Sequence, residues 1–358
     1  MRDKTGRGEN AGHSSRSPLA VILGVAGERL IPDERRFFAC SDPLGFVLFR
    51  RNCASRDQVR ALVDELREAV GREDAPVLID QEGGRVARLR PPEWRAYPAA
   101  AMIAALPEPL ALEAANLSGR LIAEDLFELG ITVDAAPVLD LPAQDADPVI
   151  GDRAWGTDPA SVAALGRQVC EGLLEGGVLP IIKHIPGHGR ARVDSHKALP
   201  QVHDEPAVLR QTDFAPFRAL AGMPWAMTAH IVYTAIDETA PATLSQIVIG
   251  SVIRGEIGFD GVLVSDDVSM GALAGSFAER TRGALDAGID LVLHCNGDME
   301  EMTEIVAAAR NLTPEAQTRI ARAETLRRGR RREFDARAAE RRLAELMAGG
   351  ANARPEIA

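Results

Sequence analysis

Leu179-Pro-Ile-Ile-Lys-His-Ile-Pro-Gly-His-Gly189 changes character halfway along, and that change decides the fold. Its first four residues form an apolar run without polar alternation, which reads as a short strand buried on both faces; strands of that kind belong to parallel sheets. Pro186, Gly187 and Gly189 then exclude a continuous helix or a central strand. Lys183, His184 and His188, with Asp194, Ser195 and His196 just beyond, are therefore placed in a loop where a strand ends. In α/β proteins ligands bind at that end of the strands.

Working outward, the same pattern of a short apolar run followed by a helical segment recurs. Runs at residues 21–25, 45–49, 76–79, 131–135, 179–182, 226–229, 261–264 and 290–293 count to eight. Between them, residues 56–70, 113–129, 161–174, 209–220 and 283–287 carry apolar side chains near helical spacing. Eight such units predict an α/β chain folded as a single-domain (β/α)₈ TIM barrel. A doubly wound open sheet would have fewer strands and a Gly-rich first turn, and neither G-x-G-x-x-G nor G-x-x-x-x-G-K-[ST] follows any strand. No nucleotide or other cofactor is expected. The barrel is expected over residues 18–348, between a disordered N-terminal tail (1–17) and a C-terminal tail (349–358). The Arg-rich stretch 314–347 is expected to form one or two helices closing the outer layer.

Composition excludes several classes. The 358 residues are 46% hydrophobic and 26% charged, as in an ordinary globular protein, and the net charge of -11 argues against a nucleic-acid or anionic-membrane partner. The basic run at Arg327, Arg328, Arg330, Arg331 and Arg332 is flanked by Glu324, Glu333 and Asp335 and reads as a solvated helix face. Cys40, Cys53, Cys170 and Cys295 show no paired spacing, so they read as reduced thiols of a cytoplasmic protein. No apolar stretch of signal-peptide or membrane-span length is found, and export is not expected. The expected partner is a small molecule, bound by a monomer.

The residues after each run define one mouth. They are Asp80 to Arg85 with Arg88, then Asp140 and Asp152-Arg153, Lys183-His184, His230, Ser265-Asp266-Asp267, and His294 to Asn296. Such a lining suits a hydroxyl-rich ligand. Each element has a plainer reading. Asp80 to Gly84 is also turn chemistry, Asp266-Asp267 is also a helix N-cap pair, and His230 alone reads as a hydrogen-bonded structural histidine. Two chemistries fit the cluster. Zinc would accept His184, His188, His196 and Asp194, but Pro186 and Gly187 deny the helix that makes His-x-x-x-His a ligand pair, so no metal is expected. Covalent catalysis would use a carboxylate at a strand end and an acid/base on a facing loop. In that reading Asp266 is the nucleophile, and strand alternation keeps Asp267 from also pointing inward. His196 is the acid/base, oriented by Asp194.

Asp80-Gln-Glu-Gly-Gly-Arg-Val86, Lys183 to Gly189 with Asp194-Ser-His196, and Gly258-Phe-Asp-Gly-Val-Leu-Val-Ser-Asp-Asp267 resemble, in order, the motifs of bacterial β-N-acetylhexosaminidases of glycoside hydrolase family 3, the NagZ type. The resemblance implies one (β/α)₈ barrel that removes terminal β-linked N-acetylglucosamine with retention. It implies Asp266 as nucleophile, His196 with Asp194 as acid/base on a mobile loop, and Asp80, Arg88, Arg153, Lys183 and His184 as sugar-holding residues. It also implies a cytoplasmic role in cell-wall recycling, on N-acetylglucosamine joined to anhydro-N-acetylmuramic acid with or without peptide. A glycoside phosphorylase and a catalytically silent sugar sensor are the alternatives. Gly187, Gly189 and Ala191 suggest a loop free to swing His196 in and out.

Overall fold

The computed structural model describes residues 17–351. Of the tails expected at residues 1–17 and 349–358, residues 1–16 and 352–358 lie outside the described residues. Eight parallel strands close into a barrel: β1 (Leu19–Gly24), β2 (Pro43–Leu48), β3 (Val77–Ile79), β4 (Val133–Asp134), β5 (Leu179–Ile185), β6 (Trp225–Thr228), β7 (Val262–Asp267) and β8 (Leu291–His294). Each pairs with its neighbours in chain order, and β1 pairs with β8 through Val21 and Val292 to complete the ring. The strands are buried almost without interruption, as runs covered by a packed lumen on one side and helices on the other must be.

The helices follow from their caps and apolar stripes. α1 (Pro32–Ser41) carries Pro in its first turn. α2 (Arg56–Val70) starts where Ser55 accepts the Gln58 N–H, and it buries Val59, Leu62, Val63 and Leu66 at helical spacing. α3 (Glu108–Glu128) and α4 (Pro159–Glu175) lie side by side, with Gly119 and Gly172 at their contact. α5 (Phe277–Ala287) opens with the Ser276–Glu279 capping box, and α6 (Met299–Ala308) opens under an Asp298 cap.

Four expectations need correction. First, β5 runs to Ile185, so Lys183 and His184 stand on the strand itself rather than in the loop after it. Second, residues 209–220 do not form one helix: two short pieces, Pro206–Gln211 and Phe214–Ala219, are separated at Thr212 and Asp213. The Asp213 carboxylate there takes a hydrogen bond from Arg190 Nε (2.6 Å) and one from the Thr212 hydroxyl (2.8 Å), contacts that tie this break to the β5 loop. Third, the C-terminal stretch forms two helices as expected, α7 (Pro314–Arg330) and α8 (Ala336–Ala351), but the latter runs past residue 348, where the tail was expected to begin. Fourth, the basic run is not simply solvated. Arg327 donates to Gly177 O (3.0 Å) and pairs with Glu324, Arg330 pairs with Glu171 of α4, and the Arg331 guanidinium lies 3.5 Å from the Phe127 ring centroid. Arginine stems cover apolar surface while their heads fasten α7 to the barrel wall.

Candidate active site

Polar side chains gather at the C-terminal ends of the strands, and their centre is one buried cation. Lys183 Nζ lies 2.8 Å from Asp80 Oδ1 and 2.7 Å from Glu82 Oε1. Arg88 closes on the other Asp80 oxygen at 3.0 Å, and Arg153 grips both oxygens of Glu82 at 2.8 Å in the two-pronged geometry a guanidinium favours. Burial alone would raise the Asp80 pKa, but Lys183 and Arg88 outweigh it and hold the carboxyl well below the ordinary range. Burial likewise opposes Lys183 and Arg153 to form Glu82⁻, yet those cations lower its pKa to about 2. The Lys183 ammonium is in turn kept charged by both carboxylates against the cost of its burial. This five-membered ionic lattice fixes charged donors and acceptors in place at the mouth of the barrel.

A second network hangs from Asp140. This fully buried carboxylate accepts from His184 Nδ1 at 2.7 Å, from the His184 backbone N–H at 3.2 Å and from the His188 backbone N–H at 2.6 Å. Burial works to raise its pKa, and the two histidines more than reverse that. Fixing His184 Nδ1 fixes its tautomer, so Nε2 is the ring atom left for other work.

At the end of β7 the adjacent aspartates part ways. Asp267 is consumed by structure: its carboxylate takes the Ser269 N–H (2.9 Å), the Ser269 hydroxyl (2.6 Å) and the Cys295 N–H (3.2 Å). Asp266 accepts the Asp267 N–H at 2.8 Å and makes no other hydrogen bond among the described residues. Burial would raise its pKa, but His184, His230, the Asp267 N–H and Lys183 together lower it, so it stands ionised. His230 has both ring nitrogens engaged, with the Thr243 hydroxyl at 2.7 Å and Asp267 O at 3.0 Å, which agrees with a structural histidine.

Asp194 and His196 meet on the β5 loop. His196 Nδ1 lies 2.8 Å from Asp194 Oδ1, which also accepts the His196 backbone N–H at 2.9 Å. The imidazole is exposed and its Nε2 faces away from Asp194. Thus Asp80, Arg88, Arg153 and Lys183 form one lattice, His184 and Asp266 belong to one electrostatic group, and Asp194 and His196 are paired. The three histidines that offered metal ligands each commit a ring nitrogen to a different partner: Asp140, Ser195 and Asp194.

Reading by residue placed Glu82 and Asp140 at the mouth but gave neither a role. Glu82 had a usable signal, since it lies two residues beyond Asp80 in an extended segment and alternation returns it to the same side. Asp140 had none, because its partners, the His184 ring and the backbone N–H groups of His184 and His188, lie more than forty residues further along the chain. The glycine argument for the loop also fails at Gly189. A Cβ there would come 1.9 Å from Leu141 O, so this glycine permits close packing rather than movement. Arg190 is likewise structural, bonded to Asp204, Thr212 and Asp213, while exposed Arg192 pairs with Asp145.

A parallel eight-stranded barrel with carboxylates, a carboxylate-bound histidine and an ionic lattice at its C-terminal mouth has the layout of a glycoside-processing enzyme. Residues 41–327 match the model of the glycosyl hydrolase family 3 N-terminal domain. The chain is 41% identical over 283 residues to a β-hexosaminidase of Alkalilimnicola ehrlichii, covering 77% of this chain and 80% of that one. It is 38% identical to a β-hexosaminidase of Methylococcus capsulatus, covering 82% and 87%. Among solved structures, NagZ from Neisseria gonorrhoeae in complex with N-trifluoroacetyl-D-glucosamine superimposes with a TM-score of 0.82 at 31% identity, over 93% of this chain and 99% of that one. The chain belongs to glycosyl hydrolase family 3.

Proposed function

We propose that this glycoside hydrolase is a retaining exo-β-N-acetylglucosaminidase that removes terminal N-acetylglucosamine from cytoplasmic peptidoglycan fragments, N-acetylglucosamine joined to anhydro-N-acetylmuramic acid with or without its peptide. The observation that carries the reading is Asp266: ionised, half-buried at a strand end, and free of the hydrogen bonds that occupy its neighbour Asp267. The similarity to β-hexosaminidases supplies the sugar.

In the first half of the reaction an Asp266 carboxylate oxygen bonds to the anomeric carbon as the glycosidic bond breaks. His196 Nε2 gives its proton to the departing oxygen, and Asp194 at Nδ1 stabilises the imidazolium beforehand. In the second half water attacks the anomeric carbon, its proton passes to His196, and the bond to Asp266 breaks. Asp80, Arg88, Arg153, Lys183 and His184 hold the sugar. The rival route, attack by the sugar's own acetamido group, needs a carboxylate free to orient that group, and the Asp267 carboxylate is taken by Ser269 and Cys295.

The test is cleavage of a chromogenic β-N-acetylglucosaminide by wild type and Asp266→Ala, with chelator, and with phosphate absent and then added. Phosphate-independent, chelator-resistant turnover abolished by the substitution is the expected result. Turnover only with phosphate would make the enzyme a phosphorylase, and no turnover in any condition would leave a sugar sensor. A fluoro-sugar glycoside should label Asp266; labelling elsewhere would move the nucleophile to that residue, and no labelling would favour the acetamido route.

A further inference from the structure

The loop carrying Asp194 and His196 is docked from two sides, and neither contact belongs to the sugar-holding lattice. From the barrel interior, buried His188 is fixed by its backbone N–H to Asp140 Oδ1 (2.6 Å), and its ring Nε2 shares a 3.0 Å hydrogen bond with the buried Ser195 hydroxyl. His188 Nδ1 is buried with no hydrogen-bond partner among the described residues. Leaving a buried ring nitrogen unmatched is unfavourable, so packing and stability alone do not explain a histidine here. Burial lowers its pKa to about 4, which keeps the ring neutral.

From the other side, the turn after β7 reaches over the same two loop residues. The Ala272 N–H donates to Ser195 O at 3.1 Å and the Gly271 N–H to His196 O at 3.4 Å. A Cβ on Gly271 would stand 2.9 Å from His196 O, so the approach needs a glycine. Both anchors trace back to the Asp266 side. The turn continues the strand that ends in Asp266–Asp267, and Asp140, which holds His188, also holds His184, which faces Asp266 and lowers its pKa.

We propose that the His188–Ser195 hydrogen bond, backed by the Gly271–Ala272 backbone, is a latch that registers the Asp194–His196 pair against Asp266, with His188 a positioning residue for proton transfer. This rests on the reading of His196 as the acid/base. Ser195 is the residue between the two partners. Pinning its hydroxyl inward and its carbonyl to Ala272 leaves the imidazole facing outward, with Nδ1 on Asp194 and Nε2 free to carry the proton.

The experiment compares kcat/KM for aryl β-N-acetylglucosaminides whose leaving groups range from dinitrophenol, which departs without protonation, to methoxyphenol, which needs it. Misplacing the acid by a fraction of an ångström should cost roughly 10-fold to 100-fold on the poor leaving group and clearly less on the good one in Ser195→Ala and in His188→Asn. Ser195→Thr, which keeps the hydroxyl, should recover most of the loss. Equal losses on all leaving groups, no loss, or a gain would overturn the latch. His196→Ala, run in the same series, separates the two readings. If it shows the leaving-group dependence and Ser195→Ala does not, the latch alone falls; if it shows none, the acid/base assignment falls and the latch with it.

Discussion

Lys183 is a fully buried ammonium whose charge is met by two carboxylates, and the three stand or fall together. Replacing it with Met leaves Asp80 and Glu82 facing each other with less compensation. Removing one partner of a buried pair costs about 3–5 kcal/mol. Lys183→Met should therefore lower the denaturant midpoint as well as raise KM, which urea titration and steady-state kinetics would show together. The same lattice fixes an acid limit. Glu82 is depressed from 4.5 to about 2, so its stabilising contribution is complete above pH 4.5 and is lost as pH falls toward 2; Glu82→Gln should flatten the acid limb of an unfolding curve. His188 acts in a higher window. The unfolded chain takes its proton below pH 6.5 while the folded ring refuses it until about 4, so stability should fall between those values and be level above them. Thermal midpoints of His188→Asn should vary less across that window than those of wild type. These three residues also show where a sequence is mute: Lys183 was legible as a site residue and Glu82 could have been read from its spacing to Asp80, but the Ser195 contact of His188 became visible only once strand and loop were placed in space.

At the scale of an element, β5 and the loop after it carry most of the consequences. The strand continues through Lys183 to Ile185 because β6 pairs with it as far as Thr228 and Val138 bridges to Lys183 on the other side, and the Pro and Gly that follow stop it. Gly189 then lets the loop pass over Leu141 at backbone contact. Gly189→Ala forces either the loop or Leu141 to move; overpacking of this kind costs about 1–3 kcal/mol. The expected outcome is a lower melting temperature together with a loss of turnover, whereas Gly222→Ala, where a Cβ meets nothing within 4 Å, should change neither. Differential scanning calorimetry and a rate assay on the two variants would check it. The eight apolar runs located every barrel strand, since burial on both faces leaves a signal in composition itself. The helical reading of residues 209–220 failed for the converse reason: Thr212 and Asp213 interrupt it to meet Arg190, a long-range partner that local periodicity does not record.

Over the whole molecule, stability and chemistry are separated by face. The mouth holds the ionic lattice and the Asp194–His196 pair, while the outer layer is closed by α7 and α8, where Ala339, Leu343 and Leu346 are buried against the wall. Truncating Leu343 to Ala removes packed methyl groups far from any site residue, and such changes cost about 2–5 kcal/mol. Leu343→Ala should lose stability in chemical denaturation with kcat and KM unchanged below the unfolding transition; a shifted KM would show that the outer layer reaches the mouth. Among the described residues no helix is long and apolar enough to cross a membrane.

What the sequence determined by itself was the set of short, doubly buried strands, their number, and the reactive residues that follow them, because burial and chain punctuation are written in residue type and spacing. Tertiary structure alone decided how those residues divide their labour. Asp266 is left open because Ser269 and Cys295 occupy Asp267, Glu82 joins the lattice because Arg153 arrives from another connection, and His188 reaches Ser195 because Asp140 holds its backbone. Hydrogen bonds and ion pairs between groups distant in the chain depend on angles and distances that only the closed barrel sets, and no local pattern encodes them.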